Sequence, residues 1–293
     1  MSTILKVDHL YKRYGKAVIL DNVSFEINQG EIIGLLGRNG SGKTTLMKLI
    51  LGLTSFDAGQ ITFKGDSDYL KKSNLMDEFG YLLDCKLFEY LSAYDNLYVI
   101  DKYKKSNKSK KELHDKIIEL LAFADLPNNK KVVKGFSFGM KQRLGLALSL
   151  LEDPKFLILD EPFVGLDPLG VEDLQKTIFE MREKYGITIL ISSHQLSEIE
   201  QMCDRYLYIQ DKKIQKVSKI ENKQIKIHLK TPASKLVQEL EQLTPLNRDV
   251  LILNDDIDLL NKILKIIYLN GGAIENISIE SEDLNSLFKG DRG

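Results

Sequence analysis

The amino-acid sequence predicts an α/β fold, in which a mostly parallel β-sheet is covered by helices on both faces. Short apolar runs rich in β-branched residues alternate with longer helical segments between Glu31 and Cys203. Two of these apolar runs are followed by residues typical of the end of a strand. A glycine-rich loop follows Leu36, and two acidic residues follow Leu159. Strands that alternate with helices pair in parallel and are buried on both faces.

The N-terminal residues predict strands at 4–7 and 18–27, the second broken by the turn-forming pair Asp21-Asn22. Residues 31–36 predict another strand, and residues 43–51 predict a helix that follows a glycine loop. Strand, glycine loop and helix in this order form the context that a phosphate-binding loop requires.

Residues 95–123 show a helical pattern interrupted at 102–111 by KYKKSNKSKK. This stretch holds six lysines and no acid, which predicts a basic surface loop in contact with solvent. The alternation continues with predicted helices at 139–152, 171–185 and 196–203 and predicted strands at 156–159 and 188–192.

The character of the chain changes after about Lys213. Strands are predicted at 224–230, 250–254 and 273–279, and helices at 233–243 and 257–269, before the segment SEDLNSLF at 281–288. These elements predict a small α+β accessory domain at 216–293, which follows a first domain at 1–215. The accessory domain contains no motif that points to chemistry.

Composition and charge narrow the class of protein. Lys and Arg total 41 against 42 Asp and Glu, so the net charge of −1 gives no general attraction to nucleic acid. Cys85 and Cys203 are too few for a disulfide framework and lack metal-ligand spacing, which favours a reduced, cytosolic protein. No secretory signal is expected at the N-terminus, and apolar stretches such as 144–151 are too short to span a bilayer.

A glycine-rich segment carries the strongest chemical signal. It fits G-x-x-x-x-G-K-[ST] and comprises Gly37, Arg38, Asn39, Gly40, Ser41, Gly42, Lys43, Thr44 and Thr45. Its glycines let successive backbone N–H groups point inward at an anion, and the following helix presents its positive end to the same phosphates. Lys43 adds a charge for the β- and γ-phosphates, and the Thr44 hydroxyl is a ligand for Mg²⁺. The segment therefore predicts ATP binding.

A second motif supplies two carboxylates. The buried strand at 156–159 delivers Asp160 and Glu161 at its carboxyl end, which is the edge where ligands bind in such sheets. Asp160 is expected to hold Mg²⁺ through water, and Glu161 to polarise the attacking water as a general base. Next to a phosphate loop, these acids predict ATP hydrolysis.

Taken together, the motifs resemble those of the ATP-binding subunits of ABC transporters over roughly residues 3–215. FSFGMKQR at 136–143 is similar to the family's signature segment LSGGQ, and Asp160-Glu161-Pro162 with Gly165-Leu166-Asp167 resembles its second nucleotide motif and D-loop. His194 follows a predicted strand where the family has its switch histidine. Tyr14 stands where an aromatic residue stacks on adenine.

The resemblance implies a fold and a mechanism. The fold is that of a P-loop NTPase with an added antiparallel β subdomain and a helical subdomain at about 85–150. Two copies, or two paralogues, would face each other and enclose ATP between the phosphate loop of one and the signature of the other, here Ser137, Phe138, Gly139 and Met140. His194 would contact the γ-phosphate near Glu161, and Asp167 would complete the catalytic set.

The sequence departs from the family pattern in two places. Phe138 replaces the first signature glycine and Met140 replaces the glutamine, as in the bacterial subfamily that exports peptide antibiotics and related toxins. The family's metal-contacting glutamine is matched by Asp84, or by Cys85 if the alignment shifts by one. An aspartate ligates Mg²⁺ well but repels a metal-free triphosphate, so we expect ATP binding to depend more strictly on Mg²⁺.

The expected function is an ATPase that energises a membrane exporter, working at the cytoplasmic face of the membrane on a separate multi-span subunit. The cargo is expected to be an amphipathic or antimicrobial peptide or a drug, and no nucleic-acid partner is expected. Soluble ATPases of DNA repair or translation are the alternative. Their long coiled-coil insertion or second phosphate loop is missing here, where only 116 residues lie between Lys43 and Asp160.

Overall fold

The computed structural model describes residues 2–83, 86–104 and 108–218, and towards the C-terminus residues 223–230, 236, 240, 243–244, 246–247, 250–254 and 257–281. The chain divides into two compact units, Met1–Ser218 and Lys219–Gly293. In the described residues, no helix combines the length and the apolar character that a membrane crossing requires.

The centre of the first unit is a six-stranded sheet in the order β5-β6-β7-β3-β8-β9. All neighbouring strands are parallel except the last pair, β8 and β9. The strands are β3 (Ile32–Leu36), β5 (Phe79–Leu82), β6 (Phe156–Leu159), β7 (Thr188–Ser193), β8 (Arg205–Gln210) and β9 (Lys213–Ser218). Every residue of β3, β6 and β7 is buried, which confirms the predicted mostly parallel sheet covered on both faces.

A second, antiparallel sheet has the order β2-β1-β4, with strands β1 (Thr3–Tyr14), β2 (Ala17–Asn28) and β4 (Ala58–Phe63). The prediction that Asp21-Asn22 breaks the second strand is wrong, because β2 is continuous. Asn22 adopts a φ of 55°, and the register between β1 and β2 shifts nearby. An asparagine tolerates this left-handed backbone, so the pair produces an irregularity inside the strand instead of a turn.

Helices border the sheets. The helix α1 (Lys43–Ile50) follows β3, a short α2 (Ser73–Met76) precedes β5, and α6 (Pro168–Tyr185) joins β6 to β7. Between β5 and β6 lies a group of three mutually packed helices, α3 (Ala93–Lys104), α4 (Lys110–Phe123) and α5 (Phe138–Ser149). These helices occupy the part of the chain for which a helical subdomain is expected.

The stretch at 102–111 is only partly a loop, although Lys102, Lys104, Lys110 and Lys111 are exposed to solvent as expected. The helix α3 continues to Lys104 and α4 begins at Lys110. Between them, the Lys108 Nζ lies 2.5 Å from Glu152 Oε2 and 3.6 Å from Oδ1 of the fully buried Asp101. Buried carboxylates need a cation, so this lysine is held against the protein instead of facing solvent.

The predicted helix at 196–203 is also wrong, because the structure contains only a 3₁₀ turn at Leu196–Glu198 followed by irregular turns. The buried residues Ile199, Met202 and Cys203 have helical spacing, which explains the prediction. The Asp204 N–H already donates to the Ile32 carbonyl at the start of β3. The chain must therefore leave any helix here to enter the central sheet.

The second unit contains a four-stranded antiparallel sheet in the order β11-β12-β10-β13, formed by β10 (Lys223–Lys230), β11 (Leu246–Asn247), β12 (Val250–Asn254) and β13 (Ala273–Ser281). Its helix α7 spans Ile257–Leu269, as predicted from the sequence. Of the helix predicted at 233–243, the described Leu236 and Leu240 are helical, while Leu243 lies in a turn.

Chain order and strand order together make this unit a split β-α-β arrangement. One face of the sheet packs under the helices in an aliphatic core of its own, formed by Ile225, Ile227, Leu229, Leu236, Leu240, Leu251, Leu253, Ile263 and Ile267. The segment SEDLNSLF at 281–288 lies outside the described residues after Ser281.

Candidate functional site

The glycine-rich loop connects the end of β3 to the first turn of α1. Gly40 and Gly42 have φ values of 79° and 108°, which side-chain-bearing residues rarely adopt. A Cβ atom on Gly42 would lie 3.1 Å from the Ile19 side chain, and no side chain caps the start of α1. The free N–H groups of the first helical turn and the open backbone therefore form the anion-binding end of a helix.

Lys43, the first residue of α1, is 6% exposed. Its Nζ donates to the Gly37 carbonyl at 2.8 Å and lies 3.1 Å from Glu161 Oε1. The ammonium is thus held within the curl of the loop and beside the carboxylate at the tip of β6. This location provides a fixed positive charge for phosphate oxygens.

Asp160 is held at both carboxylate oxygens. The Thr44 hydroxyl donates to Oδ2 at 2.6 Å, and the Ser192 hydroxyl donates to Oδ1 at 2.6 Å. The Ser192 oxygen also accepts the Glu161 N–H at 2.9 Å. Sequence reasoning did not find Ser192, because its role depends on β7 pairing directly beside β6, and the linear sequence gives no strand order.

Glu161 lies at the centre of the site. Its Oε2 is 2.5 Å from His194 Nδ1 and 3.3 Å from the His194 backbone nitrogen, while its Oε1 faces Lys43. Burial would raise the pKa of Glu161, but hydrogen bonds from His194 and Lys43 outweigh burial and hold this pKa below its ordinary value. A φ of 49° at Glu161 directs the chain out of β6, a backbone conformation that non-glycine residues seldom adopt.

Tyr14 projects from the end of β1 and is 50% exposed. The ammonium of Lys12 lies 4.6 Å from the centre of its ring, and the same Nζ donates to the Ser55 carbonyl at 2.6 Å. Lys12 is itself buried, so it fixes the ring through a cation–π contact. Lys12 is not among the predicted site residues, although residues two apart in a strand lie on the same face of the sheet.

A single open cleft of about 520 Å³ brings most of the predicted residues together, with Tyr14, Ile19, Arg38, Asn39, Gly40, Gly42, Lys43, Thr44, Thr45, Glu161, Val164 and His194 along its walls. Gly37 and Ser41 belong to the same loop, and Asp160 contacts Thr44. The signature residues are not among those that line the cleft in the described part of the chain. Asp84 and Cys85 lie outside the described residues.

The signature segment forms the start of α5. The Ser137 hydroxyl accepts the Met140 N–H at 3.2 Å and caps the helix, and Phe138 and Gly139 begin it. Asp167 plays the same part at α6, where its carboxylate accepts the Gly170 N–H at 2.8 Å. Both segments present helix N-termini, which attract anions.

The oxygen atoms near the phosphate loop suit a hard divalent cation such as Mg²⁺. Thr44 Oγ1 and Asp160 Oδ2 are already paired, and both are ligand types that Mg²⁺ prefers. The buried Ser41 Oγ has no hydrogen-bond partner among the described residues, although it stands inside the loop where phosphate oxygens would approach. The residues present therefore fit a magnesium–phosphate ligand.

A parallel sheet, a glycine loop before a helix and two acids at a neighbouring strand tip define a P-loop nucleoside triphosphatase. Comparisons with known proteins specify the class further. The ABC transporter family model matches residues 20–164. The lantibiotic transport ATP-binding protein SrtF of Streptococcus pyogenes is 43% identical over 72% of this chain and 89% of its own length. The chain belongs to the ABC transporter family.

Other similar proteins are also ATP-binding proteins or parts of ABC transporters. The bacitracin transport ATP-binding protein BcrA of Bacillus licheniformis is 40% identical over 73% of this chain and 69% of its own length. Among solved structures, cbiO1 of Clostridium perfringens, part of the ABC transporter complex cbiONQ, has a TM-score of 0.68 and 29% identity, with 75% of this chain and 90% of that chain covered. As a family member, the chain is an ATP-binding and ATP-hydrolysing transporter subunit, and the alternative of a soluble repair or translation ATPase is not favoured.

Proposed function

We propose that Glu161 is the general base of ATP hydrolysis and that His194 positions the water and the γ-phosphate beside it. One observation carries this assignment: the Glu161 carboxylate contacts both Lys43, the cation of the phosphate loop, and His194. Tyr14, held by Lys12, stacks on adenine. The phosphates lie along residues 37–45, and their charge is balanced by Lys43 and the N–H groups of α1.

Magnesium completes the proposed site. Thr44 and Asp160 would hold the ion, Thr44 directly and Asp160 through water, while Asp167 would support the catalytic set from the start of α6. When bound, Mg²⁺ neutralises phosphate charge and orients the γ-phosphate. We assign a third metal contact to Asp84, and a variant Asp84→Gln should make ATP affinity less dependent on Mg²⁺. An unchanged metal dependence of ATP affinity would reject this role for Asp84.

The decisive experiment is the substitution Glu161→Gln. The variant keeps the size of the side chain, so ATP binding should be retained while hydrolysis falls by orders of magnitude. ATP binding is measured by equilibrium titration and hydrolysis by phosphate release. A variant that still hydrolysed ATP at the normal rate would exclude Glu161 as the base.

We further propose that two copies, or this chain and a paralogue, form the active unit head to tail. Ser137 and the N–H of Gly139 then cap the γ-phosphate bound in the partner's cleft, with Phe138 and Met140 alongside. This explains why the signature does not line the chain's own cleft and yet presents a helix N-terminus. Glu161→Gln should therefore accumulate an ATP-dependent dimer in size-exclusion chromatography, and a variant that stays monomeric with ATP would count against it.

The membrane partner is inferred to dock in a groove of about 370 Å³ whose lining includes Leu83 and Lys86. The groove has an apolar floor that includes Phe79, Leu82 and Leu148, and three lysines, Lys48, Lys86 and Lys104, along its walls. This chemistry suits an amphipathic helix that carries acidic residues.

Reversing the charge at Lys86 and Lys104 should abolish co-purification with the membrane subunit without changing ADP affinity. The matched control is Lys110→Glu, at an exposed lysine outside the groove. If the double variant still co-purified with the membrane subunit, the groove would not be the docking site. Co-purification of the chain with ribosomes or DNA instead of a membrane subunit would contradict a role in transport.

The cargo is proposed to be an amphipathic or antimicrobial peptide, with a drug as the alternative, and the subunit to act in export at the cytoplasmic face of the membrane. Relatives named for lantibiotic and bacitracin transport support this choice, as does the altered signature. Cells that express the chain with its membrane partner should resist a lantibiotic or bacitracin, and cells with Glu161→Gln should not. Equal sensitivity of both strains to both compounds would exclude these cargoes.

A further inference from the structure

A short loop links the cleft of this chain to its own signature segment. It begins after Glu161 and ends at Asp167, the N-cap of α6. At its middle, Val164 lines the nucleotide cleft together with His194. The next two residues, Gly165 and Leu166, face the start of α5 instead. Successive residues of one loop therefore touch the hydrolytic site and the signature.

The contact with the signature is close. A Cβ atom on Gly165 would lie 3.0, 3.2 and 3.3 Å from three ring atoms of Phe138, and a Cβ atom on Gly139 would lie 3.4 Å from Leu166 Cδ2. Gly165 also has a φ of 79°, so both the backbone and the ring require glycine there. The Phe138 ring occupies the space that any side chain at position 165 would need.

Burial alone does not explain why a phenylalanine stands at this position. Phe138 is 50% exposed, on the first turn of a helix that Ser137 already caps. A glycine, which the family pattern has here, would satisfy the backbone equally and would leave Gly165 without an aromatic neighbour. The ring thus adds one specific contact, between the signature and the loop after the general base.

We propose that Phe138 is a positioning residue that couples the two ATP sites of the dimer. This inference rests on the proposed head-to-tail arrangement, in which Ser137 and Gly139 serve the partner's ATP while Glu161 and His194 serve the chain's own. Because the Phe138 ring lies against Gly165, a shift of the loop at one site displaces the signature that closes the other site. The coupling makes hydrolysis cooperative in ATP.

The test uses the full chain and a pair of matched glycine variants. Gly165→Ala adds a methyl group against the Phe138 ring at a left-handed φ, whereas Gly65→Ala adds one at a φ of 78° with nothing within 4 Å. The two glycines have nearly the same φ, and only at Gly165 does the added methyl group press against the ring. We expect Gly165→Ala to lower kcat about tenfold with ADP affinity retained, and Gly65→Ala to leave both unchanged.

A third variant, Phe138→Gly, removes the ring. It should keep the ADP affinity of the wild type, lower the Hill coefficient for ATP towards one, and abolish the additional effect of Gly165→Ala in the double variant. Phe138→Tyr, which retains the ring, should restore cooperativity. A purely structural ring would instead change stability and leave the Hill coefficient as in the wild type.

The inference is overturned if Gly165→Ala lowers kcat equally with and without Phe138, or if Phe138→Gly keeps full cooperativity. If Glu161→Gln forms no ATP-dependent dimer, the proposed arrangement fails and the coupling fails with it. An intact dimer in which the two substitutions act independently rejects the coupling alone.

Discussion

The hydroxyl group of Ser192 holds two neighbouring groups of the site in place. Ser192 is fully buried, and its single oxygen serves both the Asp160 carboxylate and the Glu161 N–H. Without it, two partly buried polar groups lose a partner, which typically costs about 1–3 kcal/mol. The orientation of Asp160 towards the proposed metal position is lost as well.

Ser192→Ala should therefore lower the unfolding free energy by about 1–3 kcal/mol and weaken apparent Mg²⁺ affinity about tenfold in ATPase titrations. The control is Ser193→Ala, at a buried serine that bonds to Gln195 and Glu198 instead of Asp160. It should cost stability and leave the magnesium dependence unchanged. Equal effects of both variants on magnesium dependence would show that Ser192 does not orient Asp160.

The charge of Glu161 makes stability depend on pH. The pKa of this carboxyl is held below its ordinary value of 4.5 in the folded chain, so the unfolded chain takes up the proton first as the pH falls. The stabilisation is complete above that ordinary value and is lost as the pH falls through the folded pKa. The stability difference between the wild type and Glu161→Gln should accordingly move in favour of the variant as the pH falls towards and below 4.5. Chemical denaturation across this range measures the difference, and a value independent of pH would contradict the assigned contacts.

At the scale of elements, the close contact between β5 and α5 depends on a glycine. A Cβ atom on Gly80 would lie 2.2 Å from the backbone oxygen of Ser149, and a backbone atom cannot move aside as a flexible side chain can. This approach fixes the helix that carries the signature against the edge strand of the central sheet.

Gly80→Ala should reduce the unfolding free energy by about 1–3 kcal/mol, in the range of other overpacked cores. At Gly135 the nearest atom to an added Cβ is 3.5 Å away, on a lysine side chain, so Gly135→Ala serves as the control and should have little effect. Thermal and denaturant unfolding of both variants compare the two sites. A Gly80→Ala variant as stable as the Gly135→Ala variant would show that the strand and the helix can separate freely.

At the scale of the whole molecule, every residue assigned to ATP chemistry belongs to the first unit, Met1–Ser218, and the second unit has its own core. A chain truncated after Ser218 should therefore bind ADP with an affinity within about twofold of the full chain, since no phosphate contact is removed. Fluorescent-ADP titration measures this, with Lys43→Ala in the truncated chain as the negative control. Loss of ADP binding on truncation would mean that the first unit depends on the second for its fold.

The sequence by itself determined the chemistry of this protein, because motifs of fixed spacing can be recognised without knowledge of the fold. The phosphate loop, the acids at the tip of β6, and the helices and strands with strong periodicity are local features, fixed by backbone conformation and apolar alternation. Only the tertiary structure decided which strand lies beside which, and therefore that Ser192 holds Asp160 and that Lys12 donates to the Ser55 carbonyl. The tertiary structure also decided that residues 196–203 do not form the helix that their apolar spacing predicts, and that Phe138 packs against Gly165. Such contacts join residues distant in sequence, whose meeting depends on strand order and close packing that no local pattern encodes.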